Sequence, residues 1–132
     1  MRERGFGRVL NIALVAGRIP RTNDLNCGPS KAYVIALSEA LDLTLRSEGV
    51  RVCALCPGFA HTEFHAVAGL LEEKAALPGF VWYDAEVVVR EGLAATERGK
   101  CVHVSERLYR WIDPVLQSVW TLSLARRLSE GG

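Results

Sequence analysis

The first half of the sequence is dominated by a strand, a long helix and a second strand in direct succession, and this pattern constrains the fold most. A mostly apolar run over residues 8–15 predicts the first strand, and apolar residues at helical spacing over 29–48 predict the helix. Gly49 gives that helix a natural end, and residues 50–56, which are apolar except for Arg51, predict the second strand. A strand, a helix and a strand of these lengths favour a right-handed parallel unit.

The second half of the sequence adds weaker signals of the same kind. We expect a helix over 84–97, with Asp84 as its N-cap, and a short third strand over 101–104. The fold class is therefore α/β, with about three parallel strands and flanking helices.

Composition and charge exclude several classes of protein. Of the 132 residues, 49% are hydrophobic and 23% are charged, which is typical of a folded globular domain. The net charge of +1 gives no electrostatic reason to expect binding to nucleic acid or to an anionic membrane. Because the apolar runs are too short to span a bilayer, we expect no transmembrane segment and a cytoplasmic location.

Two of the four cysteines have the spacing of a redox pair. Cys53 and Cys56 lie inside the second predicted strand, where residues three apart point to opposite faces of a sheet. We therefore interpret both as small buried hydrophobic residues. His61 and His65 are four residues apart, but His61 falls in a predicted loop, so we expect no metal site.

Three short motifs follow these predicted elements in a fixed order. The first strand carries Asn-Ile-Ala-Leu-Val-Ala-Gly over 11–17, the long helix opens with Cys-Gly-Pro-Ser-Lys over 27–31, and the second strand leads into Pro-Gly-Phe-Ala-His-Thr over 57–62. In this order the motifs resemble the second half of a short-chain dehydrogenase/reductase. In that family the corresponding motifs read close to Asn-Ile-Ser-Ser-Val-Ala-Gly, Tyr-Gly-Ala-Ser-Lys and Pro-Gly-x-x-x-Thr.

The resemblance implies a Rossmann-like, doubly wound parallel sheet, of which this chain holds one end. It makes 1–132 a single partial domain, in which 1–104 contains the sheet and crossover helices and 105–132 is a C-terminal helical tail. Four further strands and the site for the cofactor diphosphate are then expected outside this chain, as in a truncated family member. On that basis we expect no useful cofactor affinity.

The resemblance also implies roles for individual residues. Lys31 falls on the lysine that assists catalysis and holds the nicotinamide ribose, Cys27 on the catalytic tyrosine and Leu14 on the catalytic serine. Binding of NAD or NADP is implied for Lys31 and for the residues at three positions of the last motif: Pro57, Gly58 and Thr62.

The residues at these positions predict that the chain has no catalytic activity. Positions four apart share one face of a helix, so Lys31 can act on the group at position 27. A cysteine sulfur lies several bond lengths closer to the backbone than a tyrosine oxygen, whereas proton transfer requires heavy atoms about 2.6–3.2 Å apart. Pro29 is expected to begin the helix and to leave Cys27 outside its first turn. The side chain of Leu14 can neither donate nor accept a hydrogen bond.

Two other classes of function stay open on the sequence. The chain is a non-catalytic oligomerisation or interaction module if the helix over 29–48 and an open edge strand over 8–15 bind a second copy or an intact relative. Alternatively, Lys31 activates the thiol of Cys27 for chemistry of its own.

Overall fold

The structure, a computed structural model, describes residues 1–18, 24–58, 60–61, 83–105, 110–111, 114–115 and 118. Five strands, two α-helices and two 3-10 turns lie in this part of the chain. In chain order they are β1 (Gly7–Ile12), a 3-10 turn (Val15–Gly17), α1 (Cys27–Leu45), a 3-10 turn (Arg46–Glu48), β2 (Val50–Cys56), β3 (Ala60–His61), β4 (Tyr83–Asp84), α2 (Ala85–Glu97) and β5 (Val102–Val104).

The main sheet has three parallel strands in the order β1-β2-β5. Gly7 pairs with Val50 at one end of β1, and Ala54 pairs with Val102 where β5 begins. The predicted α/β fold with three parallel strands is confirmed. A second, two-stranded sheet of β3 and β4 was not predicted, because strands of two residues carry no periodic signal.

The first strand ends earlier than the sequence predicts. β1 stops at Ile12 instead of residue 15, and the chain then enters the 3-10 turn. Hydrogen bonds to the second strand continue past that point, since the N–H groups of Ala13 and Val15 donate to the carbonyls of Leu55 and Pro57 at 2.8 and 3.0 Å. The apolar run therefore continues past the end of β1, because residues 13–15 still lie along the second strand.

Helix α1 begins at Cys27, so the prediction that it begins at Pro29 and leaves Cys27 outside is wrong. Proline lacks only a backbone N–H, and in the first turn of a helix that group has no intrahelical partner to lose. Gly28 has no Cβ to clash with the proline ring, which removes part of the usual restriction on the preceding residue. The helix ends at Leu45, before a 3-10 turn that Gly49 closes with a φ of 76°.

The two α-helices cover opposite faces of the main sheet. On one face, Ile35 of α1 packs in the core with Ala54, Cys56 and Val104. On the other face, α2 approaches so closely that a Cβ at Gly92 would lie 2.7 Å from the side chain of Leu55. Helices on both faces give the doubly wound arrangement.

Helix α1 buries polar residues that the apolar spacing did not predict. Ser38 and Asp42 are both completely buried, whereas Tyr33 and Leu43 are exposed. Ser38 accepts a hydrogen bond from Asn11 of β1 at 2.9 Å and donates to the carbonyl of Val34. The helix is thus held to the sheet by hydrogen bonds as well as by apolar contacts.

Asp42 forms the densest polar contact between α1 and the sheet. Its carboxylate accepts hydrogen bonds from the Arg51 side chain at 2.9 Å, the Arg46 side chain at 2.8 Å and the backbone N–H of Val52 at 3.0 Å. Arg51 also donates to the carbonyl of Gly99, beyond the end of α2. One buried acid therefore connects α1, β2 and the segment that leads into β5.

The later elements agree with the sequence within a residue. Asp84 is the N-cap of α2, which ends at Glu97 as predicted, and the third strand begins at Val102 instead of 101. Within the predicted tail, Pro114 and Val115 are helical, and most of 105–132 lies outside the described residues. Neither described helix has the length and apolarity that crossing a membrane would require.

Candidate functional site

Most of the predicted site residues follow the strands at the carboxyl edge of the main sheet. Leu14 comes two residues after β1 in an extended conformation, with φ of −160° and ψ of 153°. The next residue, Val15, donates its N–H to the carbonyl of Pro57, which comes directly after β2. Ligands of doubly wound sheets bind at this edge, beyond the carboxyl ends of the strands.

Gly17 brings the turn after β1 directly onto helix α1. A Cβ at Gly17 would lie 2.7 Å from the carbonyl carbon of Lys31 and 2.7 Å from the backbone nitrogen of Ala32. Any side chain at this position would force the turn away from the helix. The glycine therefore sets the spacing between the turn that carries Leu14 and the helical turn that carries Lys31.

Asp24 closes the amino end of α1, and sequence reasoning missed this residue. Its carboxylate accepts a hydrogen bond from the backbone N–H of Gly28 at 2.9 Å, and a Cβ at Gly28 would lie 2.8 Å from the same oxygen. Acidic side chains stabilise helix amino ends by hydrogen bonding and by the helix dipole. The acidic residue just before the motif was the available signal, although Asp24 lies two residues before the N-cap itself.

Cys27 and Lys31 occupy the first and fifth residues of α1 and so lie on one helix face, which follows from the start of the helix at Cys27 instead of the predicted Pro29. Cys27 is exposed and Lys31 is half-buried. Across the edge, Pro57 is buried and Gly58 is half-buried. The remaining predicted site residue, Thr62, lies outside the described residues.

The chemistry available at these positions is limited. Of the five described candidates, only Cys27 and Lys31 carry ionisable side chains. Leu14 offers neither a donor nor an acceptor at the position where the resemblance implies a serine. Lys31 can donate hydrogen bonds to a ligand, and Cys27 can act as a weak donor or a nucleophile.

Ser105 is a second residue that sequence reasoning missed. It follows β5 at the same edge, and its N–H donates to the carbonyl of Cys56 at 3.2 Å. Its side chain is completely buried, and no hydrogen-bond partner of its hydroxyl lies within the described ranges. A buried hydroxyl without a partner is uncommon in folded proteins, so this atom favours a polar ligand or water beside it.

A separate cavity of about 280 Å³ lies beside α2 and β5. His103 lines it and is almost completely buried, with its Nε2 atom 3.5 Å from a carboxylate oxygen of Glu91. Burial lowers the pKa of His103, and the hydrogen bond and charge of Glu91 partly oppose that change. A neutral imidazole at neutral pH is therefore the favoured state.

No group of three or more histidine, cysteine or acidic side chains suited to a metal ion occurs in the part of the chain that the structure describes. His61 lies on β3, and its possible metal partner His65 lies outside the described residues.

One family model matches the first half of the chain, and a stretch of comparable length is similar to known reductases. A family model described as "short chain dehydrogenase" matches residues 1–70. An acetoacetyl-CoA reductase from Rhizobium meliloti (strain 1021) is 38% identical over 63 residues, which are 48% of this chain and 26% of the relative. An acetoacetyl-CoA reductase from Paracoccus denitrificans is 28% identical over 97 residues, which are 68% of this chain and 39% of the relative.

Similar solved structures extend the match to most of the chain. A short-chain dehydrogenase from Sphingobium yanoikuyae, in complex with NADPH, superposes with a TM-score of 0.69 and 27% sequence identity. That match covers 91% of this chain and 47% of the solved one. The chain thus spans about half the length of this structure and a smaller share of the curated relatives.

Proposed function

This chain belongs to the short-chain dehydrogenase family, and we propose that it carries a nicotinamide-dependent oxidoreductase site that lacks the proton-transfer groups and therefore catalyses no reaction. The observation that carries the proposal is the pair of residues at positions 14 and 27. The family's helix lysine stays at position 31, but no hydroxyl accompanies it at either of those positions. Hydride transfer to a carbonyl requires a proton for the developing oxygen anion, and leucine cannot supply one.

The thiol at position 27 is a poor substitute even though it lies within the helix. Its position in the first turn of α1 places it on the same face as Lys31, so its orientation is favourable. Its sulfur nevertheless lies a whole aromatic ring short of where a tyrosine oxygen would lie. General acid–base catalysis is lost when the heavy atoms are much farther apart than about 3 Å.

The residues at the carboxyl edge fit the nicotinamide end of NAD or NADP. Lys31 would donate to ribose hydroxyls, while Pro57, Gly58 and Thr62 would hold the carboxamide, as the family pattern implies. The buried hydroxyl of Ser105 at the same edge, which has no hydrogen-bond partner among the described residues, supports a polar ligand there. The dinucleotide supplies hydride when bound, and this chain's residues would orient its nicotinamide end. Because these residues would contact only the nicotinamide end of the dinucleotide, we expect them by themselves to bind it weakly.

The proposal is tested by mixing the purified chain with NADPH and acetoacetyl-CoA, the substrate named for two of the relatives. We expect no NADPH oxidation above background, measured by loss of its absorbance. The control is a Lys31→Ala variant prepared in the same way. Saturable oxidation by the native chain that the variant lacks would overturn the proposal, whereas equal rates in both would identify a contaminant.

A second candidate function, self-association, has specific support on helix α1. Tyr33 and Leu43 are 67% and 65% exposed, although both are large apolar side chains on a long helix. Within the described sheet, β1 has a neighbour on one side only. Exposed apolar surface and an open strand edge both favour contact with another chain. We propose a second copy of this chain as the partner.

Sedimentation velocity distinguishes this candidate from a purely monomeric chain. We expect a dimer or larger oligomer in the native chain and a shift to monomer in a Leu43→Glu variant. A Leu25→Glu variant is the matched control, because Leu25 is also exposed but precedes α1. A native chain that stays monomeric at all accessible concentrations would contradict self-association. Assembly only after an intact relative is added would show that the partner is that relative and not a second copy of this chain.

A thiol-based activity at Cys27 stays a prediction, which faster iodoacetamide labelling than that of a free thiol would support. The cytoplasmic location and the absence of nucleic-acid binding also stay predictions.

A further inference from the structure

The register of the main sheet places two cysteines from distant parts of the sequence side by side. Ala54 of β2 pairs with Val102 of β5, so the residues immediately before them, Cys53 and Cys101, are neighbours. The Ala54 N–H donates to the Cys101 carbonyl at 2.9 Å, which holds the two backbones together at this point. Neighbouring strands lie about 4.7–4.9 Å apart, inside the Cα separation of about 4.4–6.8 Å that disulfides span.

The register also predicts that the two thiols lie on the same face of the sheet. Leu55 and His103 are register partners, and Cys53 and Cys101 each come two residues earlier. Side chains alternate along a strand, so Cys53 shares the face of Leu55, and the same alternation continued one residue before β5 puts Cys101 on the face of His103. The charge of Cys101 contributes to a raised pKa of Cys53, after the larger effect of burial, which agrees with their being close.

We propose that Cys53 and Cys101 form a dithiol that a small-molecule disulfide, such as oxidised glutathione, converts into a cross-strand disulfide. Both residues are free thiols in the structure. The pair differs from the Cys53 and Cys56 spacing that the sequence suggests, because Cys56 packs on the opposite face with Ile35 of α1.

Burial sets the order of the two exchange steps. Cys101 is half-buried, whereas Cys53 is completely buried, so the oxidant reaches Cys101 first. The Cys101 thiolate attacks one sulfur of the oxidant, forms a mixed disulfide and releases one glutathione thiolate. Cys53 then loses its proton and attacks the Cys101 sulfur. The sulfur–sulfur bond forms between the two strands and the second glutathione leaves.

The electrons balance in this sequence. The two protein thiols are oxidised and lose two protons, and the disulfide of the oxidant is reduced to two glutathione thiols. The product attaches the three-residue strand β5 covalently to the central strand β2. A reducing dithiol reverses the reaction.

Peptide mapping of the native chain after treatment with oxidised glutathione tests the proposal. Trypsin cuts after Arg51, Lys74, Lys100 and Arg107, so Cys53 and Cys101 fall in peptides 52–74 and 101–107. We expect these two peptides to be recovered as a linked pair. The exposed Cys27 falls in a separate peptide and serves as an internal control, because it should take up glutathione without joining 101–107.

Three variants identify the sulfur atoms involved. The link should persist in Cys56→Ala, whose cysteine shares the first peptide, and should be lost in Cys53→Ala and Cys101→Ser. In Cys53→Ala the first step still occurs, so a glutathione adduct should accumulate on Cys101. In Cys101→Ser, glutathione should not modify the buried Cys53.

Two results would overturn the proposal. One is a folded native chain that keeps glutathione on Cys101 without forming the link. The other is a link that survives Cys53→Ala and therefore uses Cys56. If Cys53→Ala does not fold, Cys101→Ser carries the test, since modification of Cys53 without Cys101 would refute the order of steps. Treatment in denaturant should remove the selectivity for Cys53 over Cys56.

Discussion

Replacement of Asp42 by alanine should be among the most damaging single changes in this chain. The carboxylate is completely buried and accepts hydrogen bonds from Arg46, Arg51 and the backbone N–H of Val52. Its removal leaves two guanidinium groups and one buried N–H without that partner. Breaking a buried ion pair from one side costs about 3–5 kcal/mol.

The lower end of that range applies here, because water can partly replace the lost acid. The side chain of Arg46 is 44% exposed and that of Arg51 is 24% exposed, so both guanidinium groups keep some contact with water. The loss of the acceptor for the buried Val52 N–H, which by itself costs about 1–3 kcal/mol, is included in that range. We therefore expect the free energy of unfolding to fall by about 3–4 kcal/mol, which corresponds to a drop in Tm on the order of 10 °C.

Urea unfolding followed by far-UV circular dichroism measures this loss, and the chain supplies a matched control. Glu86 and Arg90 form an ion pair with the same four-residue spacing, but their side chains are 81% and 76% exposed. Glu86→Ala should cost no more than about 0.5 kcal/mol. Asp42→Asn, which keeps an acceptor for the Val52 N–H, should fall between the two. An Asp42→Ala variant that loses no more stability than Glu86→Ala would refute the reasoning.

Three further outcomes follow from the geometry. Burial lowers the pKa of His103 below its ordinary value of 6.5, so near that pH the unfolded chain binds more protons than the folded chain. The free energy of unfolding should therefore fall as the pH drops below 6.5. His103→Gln should flatten this dependence in urea midpoints measured from pH 5 to 7. Gly17→Ala should destabilise by about 1–3 kcal/mol because the new Cβ meets helix backbone, whereas Gly92→Ala should cost less because it meets the movable end of a leucine side chain; equal losses in denaturant unfolding would contradict this difference. Asp24→Ala should remove the acceptor for Gly28 and cost about 1 kcal/mol, with faster amide exchange confined to the first turn of the helix.

The sheet was predictable because its strands carry strong local signals. β2 is apolar except for Arg51, lies between Gly49 and the Pro57-Gly58 pair, and has the predicted bounds of 50–56. Gly49 and Asp84 mark helix boundaries through backbone and capping preferences that act locally. Where a signal depends on a few neighbouring residues, the sequence is sufficient.

Features that depend on distant partners could not be predicted in the same way. Ser38 and Asp42 can be buried because residues of other elements, Asn11, Arg51 and Val52, donate hydrogen bonds to their side chains. A prediction from apolar periodicity assigns only apolar residues to the buried face of a helix. The start of α1 was misplaced for a local reason, since proline was treated as a boundary although it is tolerated anywhere in a first turn.

The candidate site was partly predictable. The four-residue spacing of Cys27 and Lys31 is evident in the sequence, but the helix that puts both on one face begins two residues earlier than predicted. The roles of Asp24 and Ser105 did not follow, because one depends on the path of the chain into the helix and the other on the position of β5 beside β2. The roles assigned to Pro57, Gly58 and Thr62 stay predictions.

The close approach of Gly17 to helix α1 bears on how such a chain can change over evolutionary time. The turn after β1 is held by main-chain hydrogen bonds and by the close approach that Gly17 allows, and neither requires a particular side chain at position 14 or 27. Mutations there can erase a reaction while the architecture persists. Proteins that descend from an enzyme can therefore keep the enzyme's fold long after selection for its activity has ended.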